Sequence, residues 1–409
     1  MPIQPEEPLQ TTPESETTEN APALPRSLKD LIDRVTGRHM TPLTEPGDAG
    51  FAEILPYPFL GLVGQREMKL ALLLALINPA VGGVLLIGPR GTGKTTAVRS
   101  LIDLLPEIER SLCFYGCLPE DVEQGGIDAV CPDCARKYAM GEPLTRKEAA
   151  RLVELPLNAR LEDVVGGIDE RAAIHERMRL RRGILAHADH NVLYVDEVNL
   201  LNDEIVDAIL DAAAQGMYTV RRGPVSATYR ARFSLIGSMN PEEGRLRPQI
   251  MDRFGLRVIV HGLKDSAGRL EVYRRVRSYL TNPRGVIARY AEETLLARQE
   301  LQAARALLAK VHLPDEVAKQ GLALIDSLQI DSLRAEITLF EAARAHAAAD
   351  ARTEVTPDDL RVVAPMALRL RRSEFMTAYF ASQRGEEEEI TTLLARFLPP
   401  DDAPPAPSA

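Results

Sequence analysis

Two patterns of apolar and polar residues divide the chain into a mixed first part and a helical second part. Short continuous apolar runs are typical of strands buried inside a parallel sheet. Such runs occupy positions 84–87, 192–195, 233–239 and 256–260, and 152–157 is a candidate for a further strand. Residues 218–233 alternate instead and turn at 222–224, which predicts a β-hairpin.

Helical spacing of apolar residues predicts a helix on each side of the first strand. The earlier helix covers about 68–77 and should end near Asn78, because the residue before a proline disfavours α geometry. The later helix covers about 97–105, and a charged helical stretch is expected from 169 to about 188. Beyond Gly262 the pattern is wholly helical, and helices are predicted at 266–279, 288–308, 315–328, 332–349 and 357–370.

These elements predict an α/β domain with a parallel sheet core, followed by an all-α domain. A disordered N-terminal tail is expected, because positions 1–25 are rich in Pro, Glu, Thr and Ser and lack a periodic apolar pattern. The predicted segments are the tail at 1–50, the α/β domain at 51–262 with an insertion at 106–150, the helical domain at 263–385, and an acidic, Pro-rich tail at 386–409.

The first strand leads directly into GPRGTGKT, which fits the phosphate-loop motif G-x-x-x-x-G-K-[ST]. Glycines let backbone N–H groups curl around phosphate oxygens, and the N-terminus of the next helix adds positive partial charge. Lys94 can reach the β and γ phosphates, and the Thr95 hydroxyl can bind Mg²⁺. The predicted nucleotide-binding residues are Gly88, Pro89, Arg90, Gly91, Thr92, Gly93, Lys94, Thr95, Thr96 and, on a later strand, Asp196.

Acidic and amide side chains follow two later strands. Asp196 and Glu197 come at the carboxyl end of the run at 192–195, where open α/β sheets bind ligands. Asp196 suits the holding of Mg²⁺, and Glu197 can polarise the attacking water as general base. Asn240 follows the next buried run and can orient that water from the same edge of the sheet. These residues predict a Mg²⁺-dependent ATPase.

All four cysteines lie in the insertion with the spacing C-x3-C-x13-C-x2-C, at Cys113, Cys117, Cys131 and Cys134. The Cys-Pro-Asp-Cys pair is a tight knuckle that can place two thiolates on one tetrahedral metal, and the first pair has a known ligand spacing. Thiolate-only coordination favours Zn²⁺. Redox-active or regulatory thiols, and cysteines without a role, are alternatives that the spacing leaves open.

Composition and charge limit which binding partners and which cellular compartment are expected for this protein. A length of 409 residues leaves room for two domains and tails. The formal net charge of −10 argues against a general nucleic-acid or membrane-surface binder, and the longest apolar run, 70–77, is too short to cross a bilayer. No Lys or Arg precedes Arg26, so the beginning lacks the basic region of a signal or transit peptide. We expect a cytoplasmic protein without membrane insertion or a nucleic-acid partner.

Taken together, these motifs resemble the AAA+ ATPases of the magnesium chelatase subunit I family. The similarity covers about 56–372 and includes the phosphate loop, the Asp-Glu strand, the hairpin, and the segments LRPQ and DRFG. The phrases DEVNLLNDEIVDAILDAA, GSMNPEEG and DSLRAEITLFEAARAHAA are similar to those of that family. The cysteine insertion resembles one found in only some members, and RLRRG at 179–183 stands where the family commonly has Phe and Pro before Gly-Leu-Leu.

The resemblance implies an AAA+ P-loop domain with an all-α C-terminal lid domain, assembled into a homo-oligomeric, hexameric ring. With an integrin-like subunit and a porphyrin-binding subunit, such a motor drives Mg²⁺ insertion into protoporphyrin IX. Carried over by position, Gly64 and Gln65 lie near the adenine, and Asn240 is sensor 1. Arg253 is the arginine finger that reaches a neighbour's γ phosphate. Arg334 is the sensor 2 arginine, which contacts nucleotide in its own chain or senses it across the interface.

Two other functions stay open at this point. A related AAA+ remodelling ATPase, such as a cobaltochelatase-like or MoxR-like maturation factor, would share this nucleotide site, since nothing in it names the client. A nucleotide-gated or zinc-dependent scaffold without useful turnover would not need the catalytic residues intact. For the arginine finger, Arg247 is a rival candidate, and a surface ion pair between Arg253 and Asp252 is the plain alternative.

Overall fold

Parallel strands build the central sheet of the computed structural model, in which residues 55–168, 180–223, 225–244 and 246–372 are described. The strands, in chain order, are β1 (Val84–Ile87), β2 (Glu107–Ser111), β3 (Thr145–Ala149), β4 (Leu152–Leu155), β5 (Gly166–Ile168), β6 (Leu180–Arg182), β7 (Val192–Val195), β8 (Met217–Arg222), β9 (Val225–Arg230), β10 (Ser234–Met239) and β11 (Leu256–Ile259). Five of these described strands form one parallel sheet in the order β11-β1-β10-β7-β4. Because β10 lies between β1 and β7, Asn240 comes between the phosphate loop and the Asp-Glu pair.

Helices pack on the sheet, and the named elements after β11 are all helices. The α-helices of the described ranges are α1 (Arg66–Ile77), α2 (Lys94–Arg99), α3 (Pro119–Gly125), α4 (Pro132–Ala139), α5 (Leu161–Val165), α6 (Ile184–His187), α7 (Asp203–Gln215), α8 (Pro248–Arg253), α9 (Ser266–Thr281), α10 (Pro283–Leu308), α11 (Asp315–Ser327), α12 (Leu333–Ala349) and α13 (Pro357–Leu368). We call α9–α13 the lid.

Both faces of β1 are buried, which explains its continuous apolar run. Successive side chains of a strand point to opposite faces of the sheet. Val84 and Leu86 lie in a buried cluster with residues of α1 and of the lid helices α10–α13. Leu85 and Ile87 lie in a second buried cluster, which includes residues of α7. The sheet is therefore the middle of three layers.

The structure confirms the five predicted strands, the hairpin and the helices of the lid. β8 pairs antiparallel with β9, although Pro224 of the predicted turn lies outside the described residues. The lid helices begin and end close to their predicted bounds, except that α10 begins at Pro283 rather than at 288. These elements are the ones whose apolar pattern is longest or most regular.

The helix predicted after the phosphate loop changes type halfway. α2 ends at Arg99, and the chain continues as a 3₁₀-helix over Ser100–Leu104. Ser100 Oγ donates to the carbonyl O of Thr96 at 2.6 Å, a contact that bends α-helices. Because Pro106 follows, the helix cannot continue beyond this turn.

The helical stretch predicted over 169–188 is wrong at 180–182. Its first part, 169–179, lies outside the described residues, and β6 follows as a strand that pairs antiparallel with β5. Leu180 is buried in a cluster with residues of the hairpin β8–β9. Gly183 permits this path, because a Cβ there would lie 2.2 Å from the carbonyl O of Val164. Only α6 is helical among the described residues of this stretch, so tertiary packing overrides the local pattern.

Buried arginines connect the end of the lid to β11. Arg371 donates to Asp252 Oδ1 at 2.7 Å and to the carbonyl O of Gly255 at 3.0 Å. Arg257 of β11 donates to the carbonyl O of Leu370 at 2.6 Å. The lid is thus fixed on the β11 side of the sheet. The domain boundaries given above stay predictions, and the tail at 1–50 and the one at 386–409 lie outside the described residues.

Among the residues that the structure describes, no helix is both long enough and apolar enough to cross a membrane.

Candidate active site

The phosphate loop connects β1 to α2 at the carboxyl edge of the sheet. Gly91 and Gly93 have φ angles of 75° and 84°, in a region where residues with side chains are strained. An added Cβ would meet nothing within 4 Å at either position, so these glycines serve backbone conformation rather than space. A loop of this conformation before a helix N-terminus suits an anion such as phosphate.

Lys94 begins α2 and lies in a cavity of about 230 Å³ at the loop. Its Nζ donates to the carbonyl O atoms of Gly88 and Pro89, at 2.6 and 2.8 Å. Burial lowers the pKa of Lys94, whereas the nearby Asp196 raises it. The same cavity is lined by Arg90, Thr95, Asp196, Glu197 and Asn240, so the structure brings these predicted site residues together.

Asp196 accepts hydrogen bonds from hydroxyl groups on neighbouring elements. Thr95 Oγ1 donates to its Oδ2 at 3.2 Å, and Tyr194 OH donates to its Oδ1 at 2.8 Å. Ser238 Oγ also donates to Oδ1. Burial raises the pKa of Tyr194, so this hydroxyl keeps its proton at neutral pH. The carboxylate of Asp196 and the hydroxyl of Thr95 are hard oxygen ligands, and they fit the predicted Mg²⁺.

Glu197 occupies an unusual backbone conformation at the end of β7. Its φ of 48° lies in the left-handed region, which costs a residue with a side chain on the order of 1–3 kcal/mol. The N–H of Glu197 donates to Ser238 Oγ at 3.2 Å, which helps to hold this turn. Its carboxylate is 3.8 Å from Arg90 Nη2 and lines the cavity that holds Lys94. Strained backbone of this kind is typical of functional sites.

Asn240 is buried at the end of β10, and Glu243 fixes its amide group. Asn240 Nδ2 donates to Glu243 Oε1 at 2.6 Å, and its Oδ1 accepts from the N–H of Glu242 at 3.3 Å. The hydrogen bond from Asn240 Nδ2 lowers the pKa of Glu243, and the Glu243 carboxylate also forms an ion pair with Arg90. Glu243 therefore connects the phosphate loop to the predicted sensor 1, a role that the sequence did not reveal.

A larger cavity of about 550 Å³ lies beside the loop and suits a nucleoside in size. Gln65 lines it, with a φ of 51°, and its Nε2 donates to the carbonyl O of His261 at 2.7 Å. Gly64, which precedes Gln65, has a φ of 65°, a backbone conformation that residues with side chains rarely adopt and that favours glycine. Other lining residues are Leu62, Val63, Met68, Gly91, Thr92, Gly93, Thr96 and Val276. The position of Gly64 and Gln65 beside the adenine stays a prediction, which this cavity supports.

Arg253 and Arg334 lie at the opposite edge of the sheet from the phosphate loop. They line a cavity of about 160 Å³ with Gly82 and Gly83, which precede β1. The four residues of β1 separate this cavity from the loop by about 13 Å. Both arginines therefore face away from the phosphate cavity of their own chain.

Ion pairs show how the candidate arginine fingers are held. Arg253 pairs with Asp211, so the alternative pair with Asp252 does not form. Asp252 instead pairs with three other arginines, Arg257, Arg334 and Arg371. The rival candidate, Arg247, precedes α8 and donates from Nε to Asp203 Oδ1 at 3.0 Å.

The four cysteines lie together in the insertion, as their spacing predicts. Their Sγ atoms are all within 4.8 Å of one another, and Cys117 and Cys134 are buried. The hydrogen bond between the Cys113 and Cys117 side chains lowers the pKa of Cys113. The lining residues of the phosphate-loop cavity do not include this cluster, so it is a separate site.

Two further residues of the Asp196 network were not predicted from the sequence. The apolar pattern predicts only that Tyr194 and Ser238 belong to two buried strands. The available signal was the strand period of two, which places Tyr194 on the face of Asp196 and Ser238 on the face of Asn240. What the sequence could not give is the pairing of β7 with β10, which brings the two faces together.

Removing the Tyr194 hydroxyl should weaken the binding of Mg²⁺. Hydrogen bonds to charged groups contribute about 1.5–3 kcal/mol. We therefore expect Tyr194→Phe to need ~10-fold more Mg²⁺ for half-maximal ATPase activity, measured by titration at saturating ATP. Tyr229→Phe is the matched control, because its buried hydroxyl has no hydrogen-bond partner among the described residues. An unchanged Mg²⁺ dependence for Tyr194→Phe would contradict this role.

Two protein-family models match parts of the chain. One, described as an MCM P-loop domain, matches residues 165–260, which include the Asp-Glu pair and Asn240. The other, described as an AAA lid domain, matches residues 324–393, which include α12 and α13. Together with the parallel sheet order, these matches show an AAA+ P-loop domain followed by a helical lid.

Relatives of known name are similar to most of the chain. The magnesium-chelatase subunit ChlI homolog of Methanocaldococcus jannaschii is 45% identical over 334 residues, which are 81% of this chain and 90% of that protein. The magnesium-chelatase 38 kDa subunit of Acidiphilium rubrum is 44% identical over 317 residues, 77% of this chain and 90% of that protein. A solved structure, which models the complex between BchI and BchD of magnesium chelatase, is 41% identical and covers 78% of this chain and 97% of that chain, with a TM-score of 0.44.

Proposed function

Because this chain belongs to the magnesium-chelatase subunit I family of AAA+ ATPases, we propose that it is the ATP-hydrolysing motor subunit of a magnesium chelatase. One observation carries the catalytic part of this proposal. A single cavity joins Lys94, Asp196, Glu197 and Asn240, which supply a cation, a Mg²⁺ ligand, a base and an amide.

Each of these groups has a distinct task in ATP hydrolysis. Lys94 offsets negative charge on the β and γ phosphates. Glu197 takes the proton of the attacking water, and Asn240 orients that water from the neighbouring strand. Mg²⁺, held by Thr95 and Asp196, would neutralise the charge that develops on the phosphate oxygens. ATP and Mg²⁺ are thus the cofactors that the residues fit.

The opposite positions of the phosphate loop and Arg253 support a ring. A head-to-tail contact between two chains brings the carboxyl edge of one sheet to the amino edge of the next, and such contacts generate rings when the rotation closes. Arg253 then acts as the arginine finger on a neighbour's γ phosphate. Arg334 shares its cavity and acts as sensor 2 across the same interface. We propose a hexamer.

The client follows from the names of the relatives. Those relatives are magnesium-chelatase subunits, which favours Mg²⁺ insertion into protoporphyrin IX over a cobaltochelatase-like or MoxR-like role. An integrin-like subunit and a porphyrin-binding subunit are the proposed partners. Zn²⁺ is proposed as a structural ion at the cysteines, and a cytoplasmic location stays a prediction.

Reconstitution with both partner subunits tests the proposal. We expect ATP-dependent conversion of protoporphyrin IX to its Mg²⁺ complex, followed by porphyrin fluorescence. Lys94→Ala should abolish conversion, because it removes the cation at the phosphates. Lys319→Ala should not, because Lys319 is exposed and forms only a surface ion pair with Glu316. ATP hydrolysis with Co²⁺ insertion into a corrin-type ring, and none of Mg²⁺, would favour the cobaltochelatase-like alternative.

A further inference from the structure

The sulfur atoms of the cysteine cluster have the separation of metal ligands. Cys113 Sγ lies 3.7 Å from Cys117 Sγ and 3.5 Å from Cys131 Sγ. A tetrahedral Zn²⁺ with Zn–S bonds of about 2.3 Å places its ligands about 3.8 Å apart. A disulfide would need about 2.0 Å, and all four cysteines are free thiols.

The insertion buries few apolar side chains besides its cysteines: Ile108, Leu118, Val122, Leu144 and Ala150. The buried members of its cluster are Cys117, Cys134 and Leu144, so two of the three are cysteines. Val130 packs beside them and is only partly buried. Segments of this size rely on metals or disulfides for stability, because they cannot bury enough apolar surface. The sulfur cluster occupies the place where an ion would supply the missing stabilisation.

Backbone groups already orient the sulfurs. The N–H of Tyr115 donates to Cys113 Sγ at 3.2 Å, and the N–H of Cys131 donates to Cys117 Sγ at 3.4 Å. Donors of this kind fix thiolate ligands around a metal and stabilise their negative charge. They would have no comparable task around neutral thiols.

The 113–117 loop is one of the parts of the insertion that contact the rest of the domain, beside Asp121, which pairs with Arg230 and Arg232. Three arginines outside the insertion donate to carbonyl groups of the loop: Arg182 Nη2 to Cys113 O at 2.7 Å, the N–H of Arg230 to Tyr115 O at 3.1 Å, and Arg232 Nη2 to Gly116 O at 2.9 Å. The Arg182 guanidinium also lies 4.2 Å from the centre of the Phe114 ring. Arg182 belongs to the RLRRG segment that departs from the family pattern, so this departure contacts the cysteine insertion.

We propose that Cys113, Cys117, Cys131 and Cys134 bind one structural Zn²⁺, and that this ion fixes the 113–117 loop against the hairpin β8–β9. Four thiolates leave no open position on Zn²⁺, so the ion would have a structural and not a catalytic role. The proposal goes beyond the magnesium-chelatase function and does not depend on it.

Metal analysis of the full chain tests the site. We expect about one Zn²⁺ per chain in protein purified under reducing conditions, and near-complete loss of Zn²⁺ in Cys131→Ser. Asp133→Ala is the matched control in the same Cys-Pro-Asp-Cys knuckle, because the Asp133 side chain is 86% exposed. Metal-free wild type with four titratable thiols or with disulfides would overturn the site.

A second candidate cluster provides an internal check on the assignment. His346, Asp350 and Asp359 also lie close enough to hold an ion, but Arg352 already donates to both carboxylates. Zinc retained in full by Cys131→Ser would place the ion outside the cysteines and overturn the proposal. If Cys131→Ser does not fold, the wild-type protein tests the site instead. Blocking its four thiols with a mercurial should release one Zn²⁺ per chain, measured with a colorimetric indicator.

Hydrogen exchange tests the second half of the proposal. Zinc release should speed amide exchange in β8 and β9 by at least ~10-fold, because the loop that holds the hairpin loses its shape. Exchange in β1 should not change, and ATP should still bind, since the phosphate-loop cavity does not include the cysteines. Unchanged exchange in β8 and β9 after complete zinc release would overturn the link to the hairpin.

Discussion

Replacing Arg253 with alanine should lower the rate of ATP hydrolysis by ~10³-fold or more, although Arg253 lies at the far edge of its own sheet. Arginine fingers contribute about 10³ to 10⁵ in rate, because they stabilise the charge of the transition state. The cavity of Arg253 adjoins the residues before β1, whereas the phosphate loop follows β1. The loss should therefore appear in kcat at saturating ATP, with ring assembly unchanged.

Arg247→Ala is the matched control for this result. Arg247 precedes α8, at whose end Arg253 lies, and it pairs with Asp203 on the surface. Ion pairs of this kind contribute little, so the variant should keep nearly full activity. A large loss with Arg247→Ala and none with Arg253→Ala would transfer the finger to Arg247.

Glu197→Gln should bind ATP normally and hydrolyse it ~10²- to 10⁴-fold more slowly. The amide is nearly the same size as the carboxylate but cannot take a proton from water, and removal of a general base typically has this effect. Lys94 and Asp196 stay in place, so the affinity for ATP should not fall. Single-turnover hydrolysis and nucleotide binding, measured on the same preparation, separate the two effects.

The control for Glu197→Gln changes a carboxylate of the same type outside the cavity. Glu204 is exposed in the first turn of α7, so Glu204→Gln should hydrolyse ATP at the parent rate. Parent-like hydrolysis by Glu197→Gln would show that another group is the base. Glu243 would then be the next candidate, since it lies beside Asn240.

Patterns of buried residues were sufficient to predict most of the fold. Strands such as β1 and β7 are buried on both faces, so their composition alone distinguishes them from solvent-facing segments. The phosphate loop was predictable for a different reason, because its glycines need backbone angles that other residues avoid. β6 was not predictable, since Leu180 becomes buried only when the hairpin β8–β9 packs on it.

Which residues contact the catalytic groups depends on the order of the strands in the sheet, and the sequence alone does not show this order. Ser238 meets Asp196 because β10 pairs with β7, and Glu243 meets Arg90 because β10 also pairs with β1. The same limit applies to Arg334. The position of Arg334 in the sequence predicts that it lies on a lid helix. Only the structure shows that it shares a cavity with Arg253 at the amino edge of the sheet.

If each catalytic site is completed by the adjacent chain, mixing two inactive variants should restore activity. Arg253→Ala and Glu197→Gln chains should each be nearly inactive alone. In a mixed ring, some intact Glu197 sites lie beside intact Arg253 donors, so we expect partial recovery of ATPase activity on mixing. Size measurement and a tag pull-down confirm mixed assembly.

A titration of wild-type chains with Arg253→Ala separates the remaining explanations. If one inactive chain stalls a whole ring, activity falls faster than linearly with the mutant fraction. We expect recovery of ATPase activity in the mixture of the two variants. No recovery in confirmed mixed rings, together with a linear fall in the titration, would show that Glu197 and Arg253 serve the same chain and would contradict a site completed by the adjacent chain.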